Sequence, residues 1–419
     1  MTNPIQWARG EVVAAEADHP GLQRLRCRLQ DGRAVPALAY TDLLGTLAPG
    51  DWIWLNVTAL ELGLGTGGAA FAIAPAPPLQ PPAGDRGDRG ADATAAPASA
   101  GQATPADPGP ADAAGAAGED SGFLVKARYT PLQFAARGVD SQHSPHHAAL
   151  ARAESLEGMP VVVADLHSSL PAICAAVEWD AGRLGRAGPR LAYVMTDGAA
   201  LPLALSRTVA RLVASGAIAA TITAGQAYGG DYEAVSVQSA LLAARHVVKA
   251  DLAVCIQGPG NLGTGTPWGF SGVAVGEAVN AAATLGGRPV GCLRVSGADQ
   301  RARHRGLSHH SLTAFGRVAL LPADLAVPVL TGPLSSLGAA VEAAAAPLAG
   351  RHRLVPVEVA DLEAVLARTP GLRTMGRGYA ADPAAFLAAA AAGRLAWRLA
   401  SPAPDGPDGP DGPDGPGRG

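Results

Sequence analysis

Lysine is nearly missing from this chain: Lys126 and Lys249 are the only two in 419 residues, against 30 arginines. A phosphate-binding P-loop ends in Gly-Lys-Ser/Thr, and neither lysine follows a glycine, so P-loop NTPase chemistry is excluded. The same scarcity disfavours a Schiff-base enzyme, and Lys249 reads as the solvated end of a helix. Cysteine is sparse too. Cys27, Cys174, Cys255 and Cys292 lie far apart with neither a C-x-x-C pair nor a framework spacing, which predicts reduced, mostly buried thiols. No uninterrupted apolar run reaches the roughly 18 residues that span a bilayer. Met1 to Glu16 lacks the basic start and apolar stretch of a secretory signal, so the expected location is the cytoplasm, with no membrane partner.

What is plentiful is small residues: the chain is 48% hydrophobic but only 4% aromatic, with 53 Gly and 35 Pro. Residues 75–121 hold only ten residues other than Ala, Pro, Gly and Asp, and Leu79 is the one large apolar side chain among them. Such a segment cannot bury a core and is expected to be a disordered linker, as is the tail 402–419 with its four tandem Asp-Gly-Pro triplets. Two domains are thus expected, at 1–74 and 122–401. Gentle proteolysis should cut first within 75–121 and release a stable large fragment, and a protected linker would refute the division. The net charge of −4 is unevenly shared: residues 1–74 carry 5 basic and 7 acidic side chains, residues 122–401 carry 24 and 18. A positive large domain suits a small anionic molecule, whereas its charge is too dilute for a nucleic-acid stripe. A homo-oligomer is compatible with this composition.

Leu22 to Leu29 alternates apolar and polar residues, Asp31-Gly32 marks a hairpin, and Pro49-Gly50 precedes a second strand pair around Trp52 to Thr58. Together they predict a small N-terminal β-barrel, with Arg24, Arg26 and Arg28 on a solvated face. Gly63 to Gly68 has the composition of a phosphate loop, but nothing helical follows it, so a turn is expected. From residue 160 short apolar strands begin near Pro160, Arg190, Ala219, Asp251 and Arg288, at steps of 29 to 37 residues. Helices are expected between them at Leu170–Asp180, Leu203–Ser215, Val235–Lys249 and Glu277–Leu285, then a strand at Arg353–Val359 and a helix at Asp361–Arg368. Successive βα units predict a doubly wound, mostly parallel α/β sheet.

Ligands of such sheets sit at the carboxyl ends of the strands. Here five successive loops are polar: Asp165 to Ser169, Thr196-Asp197-Gly198, Tyr228 to Glu233, Gly258 to Thr266, and Asp299 to His310. Seven of ten histidines fall in SQHSPHH, DLHSS and RHRGLSHH. Because adjacent histidines diverge on a regular element, one of each pair is expected to be structural. Ser144-Pro145 reads as a helix cap, placing His146 and His147 in a first turn. Imidazoles and carboxylates from separate loops suit a Zn, Mn or Fe site, with His167, Asp197, Asp231 and His309 as expected ligands. Glu233, with Asp231 two residues away, is the expected general base, the bland alternative being helix capping, and His310 completes the catalytic set. Amides of Gly258, Gly260, Gly263 and Gly265, the hydroxyls of Thr264 and Thr266, and the side chains of Arg305 and Arg377 would hold the anion. The formal G-x-G-x-x-G here does not open a helix, nor is an acid found about 20 residues on, so it is no NAD fingerprint. The absence of a G-x-S-x-G elbow leaves a nucleophilic serine little support.

The stretch from His304 to His310, HRGLSHH, is similar over about seven residues to the HRG-x-T-H-S signature of some predicted membrane-bound metal-dependent hydrolases, whose membrane helices this chain lacks. More broadly, PGLQRLRCRL, PALAYTDLLG, YTPLQ, HSPHH, MTDGAALPLALSR, GGDYEAV, GTGT-x-x-GFSG, RHRGLSHH and TMGRGY together resemble a family of uncharacterised bacterial proteins catalogued only as a domain of unknown function. That family supplies no catalytic residues. The residues themselves point to a metal-dependent hydrolase of a small phosphate- or carboxylate-bearing substrate. The alternatives are a non-catalytic ligand-binding or regulatory protein using the same cleft, and a nucleotide-sugar or phosphosugar transferase.

Overall fold

The computed structural model describes residues 5–19, 22–63, 68–77, 123–186, 188–198 and 200–401. The expected linker beyond residue 77, the expected tail and most of the Gly63–Gly68 turn lie outside these residues. Contacts divide the chain into two compact units, Met1–Arg137 with Ser141–His143, and Gly138–Asp140 with Ser144–Gly419.

In the first unit β1 (Trp7–His19), β2 (Leu22–Leu29), β3 (Ala34–Tyr40), β4 (Trp52–Asn56) and β5 (Ala70–Pro75) close into a barrel of order β1-β2-β3-β5-β4. The alternation in β2 sets its faces: Leu25, Cys27 and Leu29 point inward, Arg24, Arg26 and Arg28 outward. The second strand pair expected around Trp52 is a single strand, β4, flanked by β1 and β5 and followed by the helical turn Thr58–Glu61. Closure comes from β1, which is 13 residues long, carries two register shifts and so pairs with both β2 and β4. A short hairpin, β6 (Leu124–Lys126) with β7 (Phe134–Ala136), completes the unit.

The second unit is built on eight strands, all parallel: β8 (Pro160–Ala164), β9 (Leu191–Thr196), β10 (Ala220–Ala224), β11 (Tyr232–Ala234), β12 (Leu252–Gln257), β13 (Arg288–Cys292), β16 (Asp324–Val329) and β17 (Arg353–Glu358). Their order is β11-β10-β9-β12-β8-β13-β16-β17. Two of the eight escape the sequence pattern. β11 is only three residues long, and β16 reads DLAVPV, where an internal proline argues against a strand inside a sheet. β8 to β13 are almost wholly buried runs of Val, Ile, Leu and Ala, as expected when helices cover both faces.

Helices Leu170–Arg183 and Pro383–Ala400 pack on each other, and Pro383–Ala400 covers β8, β13 and β16. Helices Val237–His246 and Ala274–Thr284 form the other pair, and Ala274–Thr284 also covers β8 and β13, so the two pairs occupy opposite faces. Pro383–Ala400 is buried from Phe386 to Trp397, which is why it shows no amphipathic stripe in the sequence. The expected helix Leu203–Ser215 is interrupted at Ser206, whose Oγ caps Arg207–Ala214 by accepting from Val209 N at 3.1 Å. From β8 the chain leaves toward β9, and from β13 toward β16, on the other side. The crevice between these neighbours is a topological switch point, the place where this architecture puts ligands.

Candidate metal centre

Three imidazoles meet above that crevice. His304 follows β13 through β14 (Val295–Ser296), which pairs with β15 (Gly306–Leu307), while His309 and His310 open the short helix His309–Thr313. One nitrogen from each of the three lies within 4.8 Å of the others, and among the described residues this is the only group of three or more His, Cys, Asp or Glu side chains placed to hold a metal ion. The rings of His309 and His310 are 4.5 Å apart, those of His304 and His310 4.8 Å. The rings of adjacent His309 and His310 thus come together at the start of this helix, contrary to expectation.

Each ring has a distinct environment. His304 Nδ1 lies 2.8 Å from Ser308 Oγ, and that oxygen also accepts from His310 N as the helix cap. His310 Nδ1 is 2.9 Å from Asp165 Oδ2, at the end of β8, and Phe270 stacks on its face at 3.6 Å. Arg294 Nη1 donates to the same carboxylate oxygen at 2.8 Å, and Asn261 Nδ2 donates to Asp165 Oδ1. The carboxylate is nestled against Gly272, where a Cβ would stand only 1.8 Å from Asp165 Oδ1, so no larger residue fits. His309 Nε2 is buried and has no hydrogen-bond partner. A buried polar atom without a partner is costly, and a metal ion is one way to satisfy it.

Electrostatics favour neutral imidazoles at His304 and His309. Burial, with the Arg294 and Arg301 charges, drops His304 to about 3, and burial, with His310 and Arg303, also holds His309 below its ordinary value. Burial pulls the Asp165 carboxyl upward, but His310 and Arg294 more than offset this and keep it ionised below the usual carboxylate range. Asp165 thus sits where a carboxylate orients a metal-binding histidine.

The other residues expected at a site are placed as follows. His167 lies between Ser206 Oγ, 2.7 Å from Nε2, and Tyr193 Oη, 3.1 Å from Nδ1. Asp197 accepts from Ala200 N and Gln226 N. Asp231 accepts from the amide and hydroxyl of Thr221 at 2.8 and 2.9 Å, and Glu233 from Thr223 Oγ1 at 2.7 Å and Gly229 N at 2.6 Å. Both acids brace β11 against β10. Five strand spacings, about 24 Å, separate β11 from β13, so neither meets the histidine trio. Of the anion set, the 258–266 loop adjoins the trio: Thr313 Oγ1 donates to Pro267 O and Phe270 covers His310. Within the loop Thr264 and Thr266 close their own turn around Gly269, while Gly258 packs by Leu201 and Met195, and Gly263 pairs with Phe270. Gly260 and Gly265 take positive φ. Arg305 donates to Asp299 O, and Arg377 is engaged by Asp299 and Asp382. An exposed arginine not singled out in the sequence, Arg303, approaches Gly265. His304, Asp165 and Arg294 were likewise not assigned roles, although Asp165 and His304 fall in two of the five polar loops.

In the third histidine cluster Ser144 Oγ accepts from His146 N, while His147 Nδ1 contacts Asp140 O. All four cysteines are free and buried, and burial pushes the Cys255 and Cys292 thiols up to about 12, which leaves no thiolate nucleophile among them. Among the described residues no helix is long and apolar enough to cross a membrane.

A parallel α/β domain with a three-histidine cluster at its switch point, preceded in the chain by a closed barrel, defines the class. The chain belongs to the family described as Protein of unknown function (DUF3866), which matches residues 36–393, from within β3 to within the last helix. No curated protein and no solved structure matches it.

Proposed function

We propose that the protein is a metal-dependent hydrolase of a small anionic substrate, with His304, His309 and His310 as ligands of a Zn, Mn or Fe ion. The observation that carries this reading is the convergence of three imidazoles around the unpartnered, buried His309 Nε2. Three protein ligands leave an open position, and a metal there lowers the pKa of bound water to about 7. His310 Nδ1 faces both Asp165 Oδ2 at 2.9 Å and Arg294 Nη1 at 2.8 Å; in the tautomer that donates to Asp165 its Nε2 offers a lone pair, and Asp165 is then the positioning residue. Arg303 beside the 258–266 loop would meet the substrate's anion.

Metal analysis of the purified protein, before and after stripping and reloading, tests the reading. One equivalent of transition metal supports it. Protein that takes up none even when reloaded leaves the non-catalytic ligand-binding alternative ahead. Asp165→Asn is expected to weaken metal binding about 10–100-fold in a chelator competition. It should also cost about 3–5 kcal/mol in urea unfolding, because Arg294 is left buried without its counter-charge. Wild-type affinity in the folded variant would remove Asp165 from the positioning role.

A further inference from the structure

Away from the histidines, helices Leu170–Arg183, Arg207–Ala214 and Glu363–Arg368 turn stripes toward one another without closing. On Leu170–Arg183 the stripe includes Cys174, Ala175 and Glu178, the spacing of a face that ordinarily packs. Between the three helices lies a cavity of about 700 Å³, floored by Cys174, Ala175, Leu212 and Val365. Its size is that of a small-molecule site.

Arg211 and Arg368 stand over this apolar floor. Neither has an acidic partner among the described residues. The one aspartate on the rim, Asp361, is already held by Arg394 and Arg183 at 2.7 Å each and accepts from Trp179 Nε1. The Arg211 guanidinium lies against the backbone of Gly371, where a side chain would collide with it. Burial pushes the Glu178 carboxyl up and keeps the Cys174 thiol protonated. Two guanidinium groups without a paired carboxylate above an apolar, concave surface form a complementary pair of features: a head that attracts an anion and a floor that attracts hydrocarbon.

We propose that this cavity binds a small organic anion with an apolar body, the charged group held by Arg211 and Arg368 and the body seated on Cys174, Ala175, Leu212 and Val365. The site is independent of the metal centre. 1-Anilinonaphthalene-8-sulfonate, an aromatic body with one anionic group, is the probe. It is expected to bind the full-length protein saturably at one equivalent, with blue-shifted emission. Arg211→Gln/Arg368→Gln, at two exposed positions that leave the fold intact, should bind at least about tenfold more weakly. Ala175→Trp should abolish binding by filling the cavity, and His309→Ala should bind as the wild type does. No saturable binding by the wild type would overturn the proposal. So would undiminished affinity in the double variant, or equal affinity for uncharged N-phenyl-1-naphthylamine. A dimer in sedimentation that Ala175→Trp dissociates would overturn it too, by showing that the cavity seats a second copy of the chain.

Discussion

His309→Ala is expected to lose stoichiometric metal uptake altogether while remaining folded. The side chain is only partly buried, and its removal deletes a polar atom that has no hydrogen bond, so the metal-free protein should change stability by no more than about 1 kcal/mol. Metal is the variable that separates the two proteins. In wild type a saturating ion adds about 2.7 kcal/mol at a hundredfold excess over its dissociation constant. In the variant that increment should vanish, and with it any hydrolysis of phosphate or carboxylate esters. Asp231→Asn serves as the contrast, since its carboxylate bonds Thr221 on the far side of the sheet and metal uptake should be untouched. One equivalent of metal in folded His309→Ala protein would sink the assignment of the trio.

The second large effect is on stability against pH. Burial lowers His167 to about 4, with Nε2 facing Ser206 and Nδ1 facing Tyr193, whose hydroxyl donates to Ile256 O. In the unfolded chain the same ring titrates near 6.5. Below that value the unfolded state binds a proton that the folded state refuses, so stability from this group is complete above about pH 6.5 and declines as pH falls toward 4. The loss amounts to about 3 kcal/mol across that window. Urea unfolding at pH 7 and pH 4 measures it. His167→Gln, which keeps a polar side chain but does not titrate, should show a fall smaller by about this amount. An equal fall in both proteins would mean that His167 is not held neutral.

Much of the architecture was legible because parallel strands are short, apolar and evenly spaced, and because β2 alternates so cleanly. What failed did so for local reasons. β16 has a proline in a buried strand, and Pro328 is tolerated opposite Val357, one residue beyond Pro356 in its neighbour. β11 was hidden behind Asp231 and Glu233, whose side chains looked like chemistry but extend the sheet's hydrogen bonding at its edge. The same logic applies at the site. The loops after β8, β12 and β13 were legible as polar loops at strand ends, but a loop does not disclose which of its side chains turn inward. Asp165 is joined to His310 across 145 positions, and no periodicity encodes such a pair. His304 could have been found by taking RHRGLSHH as one unit in which all three histidines act together, because two turns in so short a stretch fold it back on itself.

The helix Pro383–Ala400 has a consequence for how the protein is made. It seals β8, β13 and β16, strands whose own residues emerge as much as 240 positions earlier, and it approaches helix Leu170–Arg183 so closely that a Cβ on Gly393 would lie 2.5 Å from Ile173 O. During synthesis the central strands and Ile173 must therefore wait, apolar side chains unshielded, until residue 400 has left the ribosome. The core of the second unit is thus completed by its last helix, and contacts of such long sequence separation are the kind that form late and leave apolar surface uncovered until they do.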